Sequence, residues 1–384
     1  MDYKYVNKIQ RKYLRMYNSI DIHSERKLGV LKITNGIIVP SKLENLNNSV
    51  KGGVLDENFH YISASAYTND PNGIAETLGK EYRLINFKTI DDSIIYIGQL
   101  FYVYGHAITD NLSKLWFLLT NEAKLLIESG VKLGYTSMLN HEVPKYVEDL
   151  CSYLGIDLSQ CIKITQPIQY ATVYIPESSL YTEKRISGSY KVYTNEYKKT
   201  IQHIKEQIYD SYKCSNIQTY EKIYLTRTKF ASNNRDCNEK EVESFFESLG
   251  YTIISPELYS LEEQIFMLGS AKEIAVTEGS IALTTQFCNK GTKVYLLLKC
   301  NWINDYQWCA NEIAQLNTTY ISVHQSDMNN KMEPWQGPFY LYVTPYLQQW
   351  GKKLFNILPY FFKLSYWKYR KPYWLRLFKK IFVK

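Results

Sequence analysis

The chain has 384 residues, 45% of them hydrophobic and 15% aromatic, which is too much core-forming material for a disordered polypeptide and enough length for two domains. Its formal net charge is +7, but ten Lys or Arg and no Asp or Glu fall in 351–384. The body before that tail therefore carries a slight acidic excess and is not a general binder of polyanions.

The seven cysteines are odd in number, scattered and never spaced as CxxC. This argues against a secreted disulfide framework or a zinc site and fits a reducing cytosol. The opening stretch, MDYKYVNKIQRKYLRMYNSI, is basic without the continuous apolar core of a signal peptide, and no run reaches bilayer-spanning length. The expected location is the cytosolic side of the cell membrane.

The first domain is expected over 1–200. Strand-like runs SIIYIGQLFYVYG and QYATVYIP, with a helical segment at 143–156 (VPKYVEDLCSYLGI), predict an α/β unit. Within it, YGHAITDNLSKLWFLL (104–119) places Leu112, Leu115, Trp116 and Leu119 at the spacing of one apolar helical face, with Thr109 or Asp110 as N-cap. His106 and Asp110 stand four apart at the helix entrance, so a first turn containing both would aim them at one ligand, beside the positive end of the dipole. The plainer reading makes Asp110 a cap and His106 a half-buried loop residue. A polar stretch near 187–215 marks the linker, and NEYKKTIQHIKEQIYDSYK within it reads as helix.

The second domain is expected over 201–335. KIYLTR (222–227) reads as a buried strand, NEKEVESFFESLG as a helix with Asn238 as N-cap and Glu241 closing a capping box, and YTIISP as the next strand. SLEEQIFMLGSA repeats the capping-box pattern with Ser260 and Glu263. EIAVTEG and KVYLLL then flank SIALTTQFC, a helix starting directly after Gly279. Strands apolar on both faces, alternating with helices, predict a parallel, doubly wound sheet.

Ligands of such sheets collect at the carboxyl ends of the strands. Arg227 ends the first strand and Arg235 precedes the next helix, so two guanidinium groups could converge on a pyrophosphate; each alone could equally be a solvated loop arginine. Gly279 and Ser280 open a helix whose free N–H groups suit an anion, and Glu278 could accept a hydrogen bond from a ribose or sugar hydroxyl.

Taken in order, H-x3-D before an apolar helix, then YLTRTKFASNNRDCNEKEVESFFESLGYTIISPELYSLEEQI, then AKEIAVTEGSIALTTQFCNKGTKV, resemble the family 61 glycosyltransferases over roughly 95–300. The resemblance implies a GT-B fold, two Rossmann-like domains facing across a cleft, and inverting, metal-independent sugar transfer from a nucleotide sugar, which is a substrate and not a cofactor. It places His106 and Asp110 on the acceptor side, where they are the expected catalytic residues, and Arg227, Arg235, Glu278, Gly279 and Ser280 on the donor side; Asn111, next to Asp110, is a further acceptor-binding candidate beside His106. Many relatives carry His where this chain has Glu278. By likeness to bacterial members, the acceptor is a lipid-linked glycan of a capsule or other surface polysaccharide. Independently, glycosyl transfer needs a base for the acceptor hydroxyl and positive charge for the departing phosphate. No DxD motif supplies a metal site. A non-catalytic nucleotide- or glycan-binding protein of the same fold is the alternative.

The segment 336–384 is expected to be helical and then a membrane-associating tail. In its last part Trp367, Arg370, Lys371, Trp374, Arg376, Lys379 and Lys380 interleave cations with aromatic rings, which suits the headgroup layer of an anionic membrane better than a nucleic acid. Packing of Phe355, Leu358 and Phe362 on the first domain, up to a break at Pro372, is the other use of this stretch.

Overall fold

A computed structural model of the chain describes residues 2–44, 49–66, 86–186, 188–213, 216–230, 235–324 and 338–352. The tail residues Trp367, Arg370, Lys371, Trp374, Arg376, Lys379 and Lys380, together with Phe355, Leu358, Phe362 and Pro372, lie outside the described residues. The chain is mixed α/β and divides into two compact units, one of Asp21–Ser215 and one of Met1–Ile20 with Asn216–Lys384.

The Asp21–Ser215 unit is built on a six-stranded sheet in the order Ser49–Leu55, Val30–Glu44, Ile168–Pro176, Lys88–Leu100, Lys132–Ser137, Ile162–Lys163. The last four strands run parallel, whereas Val30–Glu44 is antiparallel to both its neighbours. The sheet is thus mixed, and only its parallel part follows the Rossmann-like pattern expected of this domain. Ile38, Ile94, Tyr96, Val173 and Ile175 form its core. The expected helix near 143–156 is Lys145–Ser152, and the one in the linker is Asn195–Tyr212, which buries Tyr197, Ile201, Ile204 and Ile208.

The stretch 104–119 departs from the single helix expected. It forms a short α-helix at Tyr104–Ala107 and two 3₁₀ turns, Asp110–Ser113 and Leu115–Leu119. The cause is competition for backbone groups. The Ser113 carbonyl, which a continuous helix would pair with residue 117, accepts instead from the Ser179 N–H at 2.7 Å and the Ser179 hydroxyl at 2.6 Å. Asp110 through Leu115 are all buried, so the segment has no solvent face to keep it amphipathic. Thr109, at the N-cap of the first 3₁₀ turn, makes no capping hydrogen bond with its side chain.

In the second unit the sheet is six-stranded and wholly parallel, in the order Asp2–Tyr5, Asn317–Ser322, Lys293–Leu298, Glu273–Thr277, Lys222–Leu225, Thr252–Ile254. The alternation read from 222 to 298 is therefore correct. Ile223, Tyr224, Ile274, Val276, Val294 and Leu296 are sealed from solvent, as strands covered on both faces require. Counted from residue 216, the strands lie as second, first, third, fourth, fifth, with Asp2–Tyr5 added at the far edge. That edge strand is why residues 1–20 group with the second half and not with a domain spanning 1–200. Its following helix, Lys8–Asn18, is held down by Gln10, whose amide donates to the Cys300 carbonyl at 2.9 Å, and by Tyr17 stacked on Trp308. At the other boundary, Asn195–Tyr212 carries the first unit through to Ser215.

Two helix starts separate local from tertiary control. Ser260 and Glu263 form the capping box expected at Leu261–Ser270. Asn238 does not cap Glu239–Glu247: it sits at φ 65°, and its amide donates to the Leu341 carbonyl and to Glu241, whose carboxylate accepts from the Val343 N–H. The helix after Gly279 is the 3₁₀ segment Ser280–Phe287, buried from Ala282 onward.

Candidate functional sites

In the first unit, the strand Lys88–Leu100, buried from Ile94 onward, leads into Phe101, where the chain turns. Asn111 fixes that turn by a two-point clasp: its carbonyl accepts from the Phe101 N–H at 2.8 Å and its amide donates to the Phe101 carbonyl at 3.1 Å. Asn111 is 3% exposed, and both of these side-chain bonds serve the backbone of the turn. Behind it, Lys114 is buried against the Ala64 and Pro176 carbonyls, and burial pulls its ammonium down to about 7.

This turn brings His106 and Asp110 together as their spacing predicted. His106 Nδ1 and Asp110 Oδ2 are 2.6 Å apart; the carboxylate is buried, whereas about a third of the imidazole is exposed (35%). The ring also rests on Phe101, with centroids 5.2 Å apart. A buried carboxylate at Nδ1 fixes the ring's orientation, holds the Nδ1–H tautomer, and stabilises an imidazolium formed by proton uptake at Nε2.

In the second unit, strand order reverses between Lys222–Leu225 and Glu273–Thr277, the position where open α/β sheets take ligands. Arg227 follows the first strand and Glu278-Gly279-Ser280 the other. Between them lies a group the sequence reading missed. The Asp236 carboxylate, fully buried, takes Lys299 Nζ at 3.0 Å and Arg227 Nη1 at 3.5 Å. Lys299 ends the neighbouring strand Lys293–Leu298, its ammonium lies over the Phe339 ring, and a Cβ on Gly279 would stand 3.5 Å from its Nζ. Two cations thus share one carboxylate beside a glycine held at φ 138°, a conformation reserved for glycine. A lysine closing the apolar run KVYLLLK was the available signal; Asp236 offered none.

Two further carboxylates border the group. Glu239 accepts from the Tyr224 hydroxyl at 3.1 Å and from the Arg227 N–H at 3.3 and 3.4 Å; burial, with Asp236 adding to it, raises its carboxyl to about 7. Glu278 is 4% exposed, and its Oε1 accepts from the Asn304 N–H at 2.7 Å, anchoring the start of Asp305–Ile313. Burial lifts it to about 7 against the pull of Asn304 and Lys299. Arg235 and Ser280 are exposed on the same loops, Arg235 accepting from the Phe339 N–H through its carbonyl.

One unit thus carries a parallel α/β sheet with cations at its switch point, and the other carries a histidine oriented by a buried carboxylate. The family model for glycosyltransferase 61 matches residues 104–295, half of the chain, and the chain belongs to that family. The match opens at the turn carrying His106 and Asp110 and takes in Arg227, Arg235 and Gly279, while Lys299 lies just beyond it. No curated protein matches the chain.

Proposed function

We propose that this glycosyltransferase is an inverting, metal-independent enzyme of GT-B type that moves a sugar from a nucleotide sugar to a hydroxyl of a lipid-linked glycan, in the synthesis of a bacterial surface polysaccharide at the cytosolic face of the membrane. The observation that carries the chemistry is the His106–Asp110 pair, with the imidazole partly exposed and the carboxylate buried behind it. His106 takes the acceptor proton at Nε2 as the hydroxyl oxygen attacks the anomeric carbon. The bond from that carbon to the phosphate oxygen breaks, and the nucleoside diphosphate leaves. Asp110 orients the ring and stabilises its cation, so of the two residues His106 serves as the base.

On the donor side, Arg227 and Lys299 meet the diphosphate charge, with Asp236 holding both cations in place. Gly279 lets backbone approach the phosphate, Ser280 supplies the helix start, and Arg235 reaches in from the exposed loop. The test is a screen of nucleotide sugars by thermal shift, followed by nucleoside-diphosphate release with and without glycan acceptors. Binding without release under any acceptor would instead identify a non-catalytic nucleotide-binding protein.

A further inference from the structure

The helix Lys8–Asn18 buries one side and leaves another without a partner among the described residues. Gln10 and Leu14 face inward, and Tyr17 stacks on Trp308. On the outer surface Ile9, Tyr13 and Met16 are 51%, 41% and 38% exposed. Their spacing of four and three places them in one stripe along the helix. Lys8, Lys12 and Arg15 are exposed beside that stripe, and the helix contains no acidic residue. Within 1–20 the only acid is Asp2, against Lys4, Lys8, Arg11, Lys12 and Arg15. A core-facing helix has no use for an exposed Ile-Tyr-Met ridge, and a solvated helix has no use for its apolar side chains.

We propose that this face of the Lys8–Asn18 helix is a docking surface for an anionic lipid bilayer. The side chains have complementary tasks: Ile9, Tyr13 and Met16 enter the boundary between headgroups and acyl chains, while Lys8, Lys12 and Arg15 extend their stems along it and leave their charges at the phosphates. A nucleic acid would use the cations but not Ile9 or Met16, and a second copy of the same helix would oppose like charges. The position of the chain's other end agrees. The last described helix, Pro345–Gly351, packs against the Asp2–Tyr5 strand that leads into this helix, and the sequence that follows Lys352 is rich in Lys, Arg and aromatics. This inference is independent of the transfer chemistry.

The test is co-sedimentation of the full chain with vesicles of phosphatidylcholine alone or with 30% phosphatidylglycerol. The wild type is expected to partition onto the anionic vesicles. Each cation near such a surface contributes about fivefold in partition, so Lys12→Glu with Arg15→Glu should lower it by at least roughly 25-fold. Ile9→Gln with Met16→Gln should also lower partition onto the anionic vesicles while leaving the melting temperature and nucleotide binding in place. Unchanged partition in both double variants overturns the proposal. So does a dimer that the Ile9 and Met16 changes dissociate without altering partition, or a loss of oligonucleotide binding with vesicle binding intact.

Discussion

Asp110 lies behind His106 as its buried partner, Oδ2 to Nδ1 at 2.6 Å, with only the imidazole reaching solvent. The pair is built where a short helix gives way to a 3₁₀ turn and not along one continuous helix, with the carboxylate set directly against the ring.

The first expected outcome concerns that pair. His106→Ala and Asp110→Asn should each lower turnover by on the order of a hundredfold or more, with the donor's KM nearly unchanged. Because the two residues act as one unit, the double variant should be little worse than either single one. Steady-state kinetics decide this: full turnover in Asp110→Asn would show that the carboxylate does not serve the ring.

On the donor side, Arg227→Ala and Lys299→Met should each weaken nucleoside-diphosphate binding by about tenfold or more, consistent with loss of one charge-assisted contact at about 1.5–3 kcal/mol. Each takes a cation from the buried Asp236, so Asp236→Asn combined with Lys299→Met should recover melting temperature without recovering affinity. Arg235→Ala, exposed at the loop, should have the smaller effect. Calorimetric titration with nucleoside diphosphates would show the order, and equal affinities in all variants would remove the phosphate role from this group.

Asn111→Ala should act on stability and not on acceptor use. It strips partners from the Phe101 N–H and carbonyl in a buried turn, at a cost of about 1–3 kcal/mol per unsatisfied group. Denaturant unfolding should register that loss. An unchanged midpoint with a raised acceptor KM would return Asn111 to the acceptor site.

Glu278 supplies a pH dependence. Its carboxyl is raised to about 7 from an ordinary 4.5, so the folded chain binds more protons than the unfolded one between those values, and this group's contribution to stability falls as pH rises through that window. Glu278→Gln removes the ionisation while keeping an oxygen for the Asn304 N–H. The variant's melting temperature should match the wild type near pH 5 and exceed it increasingly toward pH 8. Taking the difference between the two proteins cancels His324, held down at about 4 by burial, whose contribution runs the opposite way between about 4 and 6.5. A difference independent of pH would mean that Glu278 ionises normally.

What the sequence determined by itself was set by short-range periodicity and local caps. The strands of 222–298 are covered on both faces, so their apolar runs and the intervening amphipathic helices announce a parallel sheet wherever the partners lie. The Ser260–Glu263 box closes within one turn and is equally local. The His106–Asp110 pair was legible because residues four apart stay neighbours in a helical turn, whether or not the helix continues. Tertiary structure decided the rest. Ser179 captured the Ser113 carbonyl and broke the helix that the Leu112–Leu119 pattern promised. Pairing with Asn317–Ser322 drew the first strand into the opposite half of the chain. The Asp236–Lys299 contact joins residues 63 apart, and its carboxylate takes its partners only when parallel strands bring their carboxyl ends to one edge. No local pattern records such a meeting, because the charge is placed by the sheet and not by its neighbours in sequence.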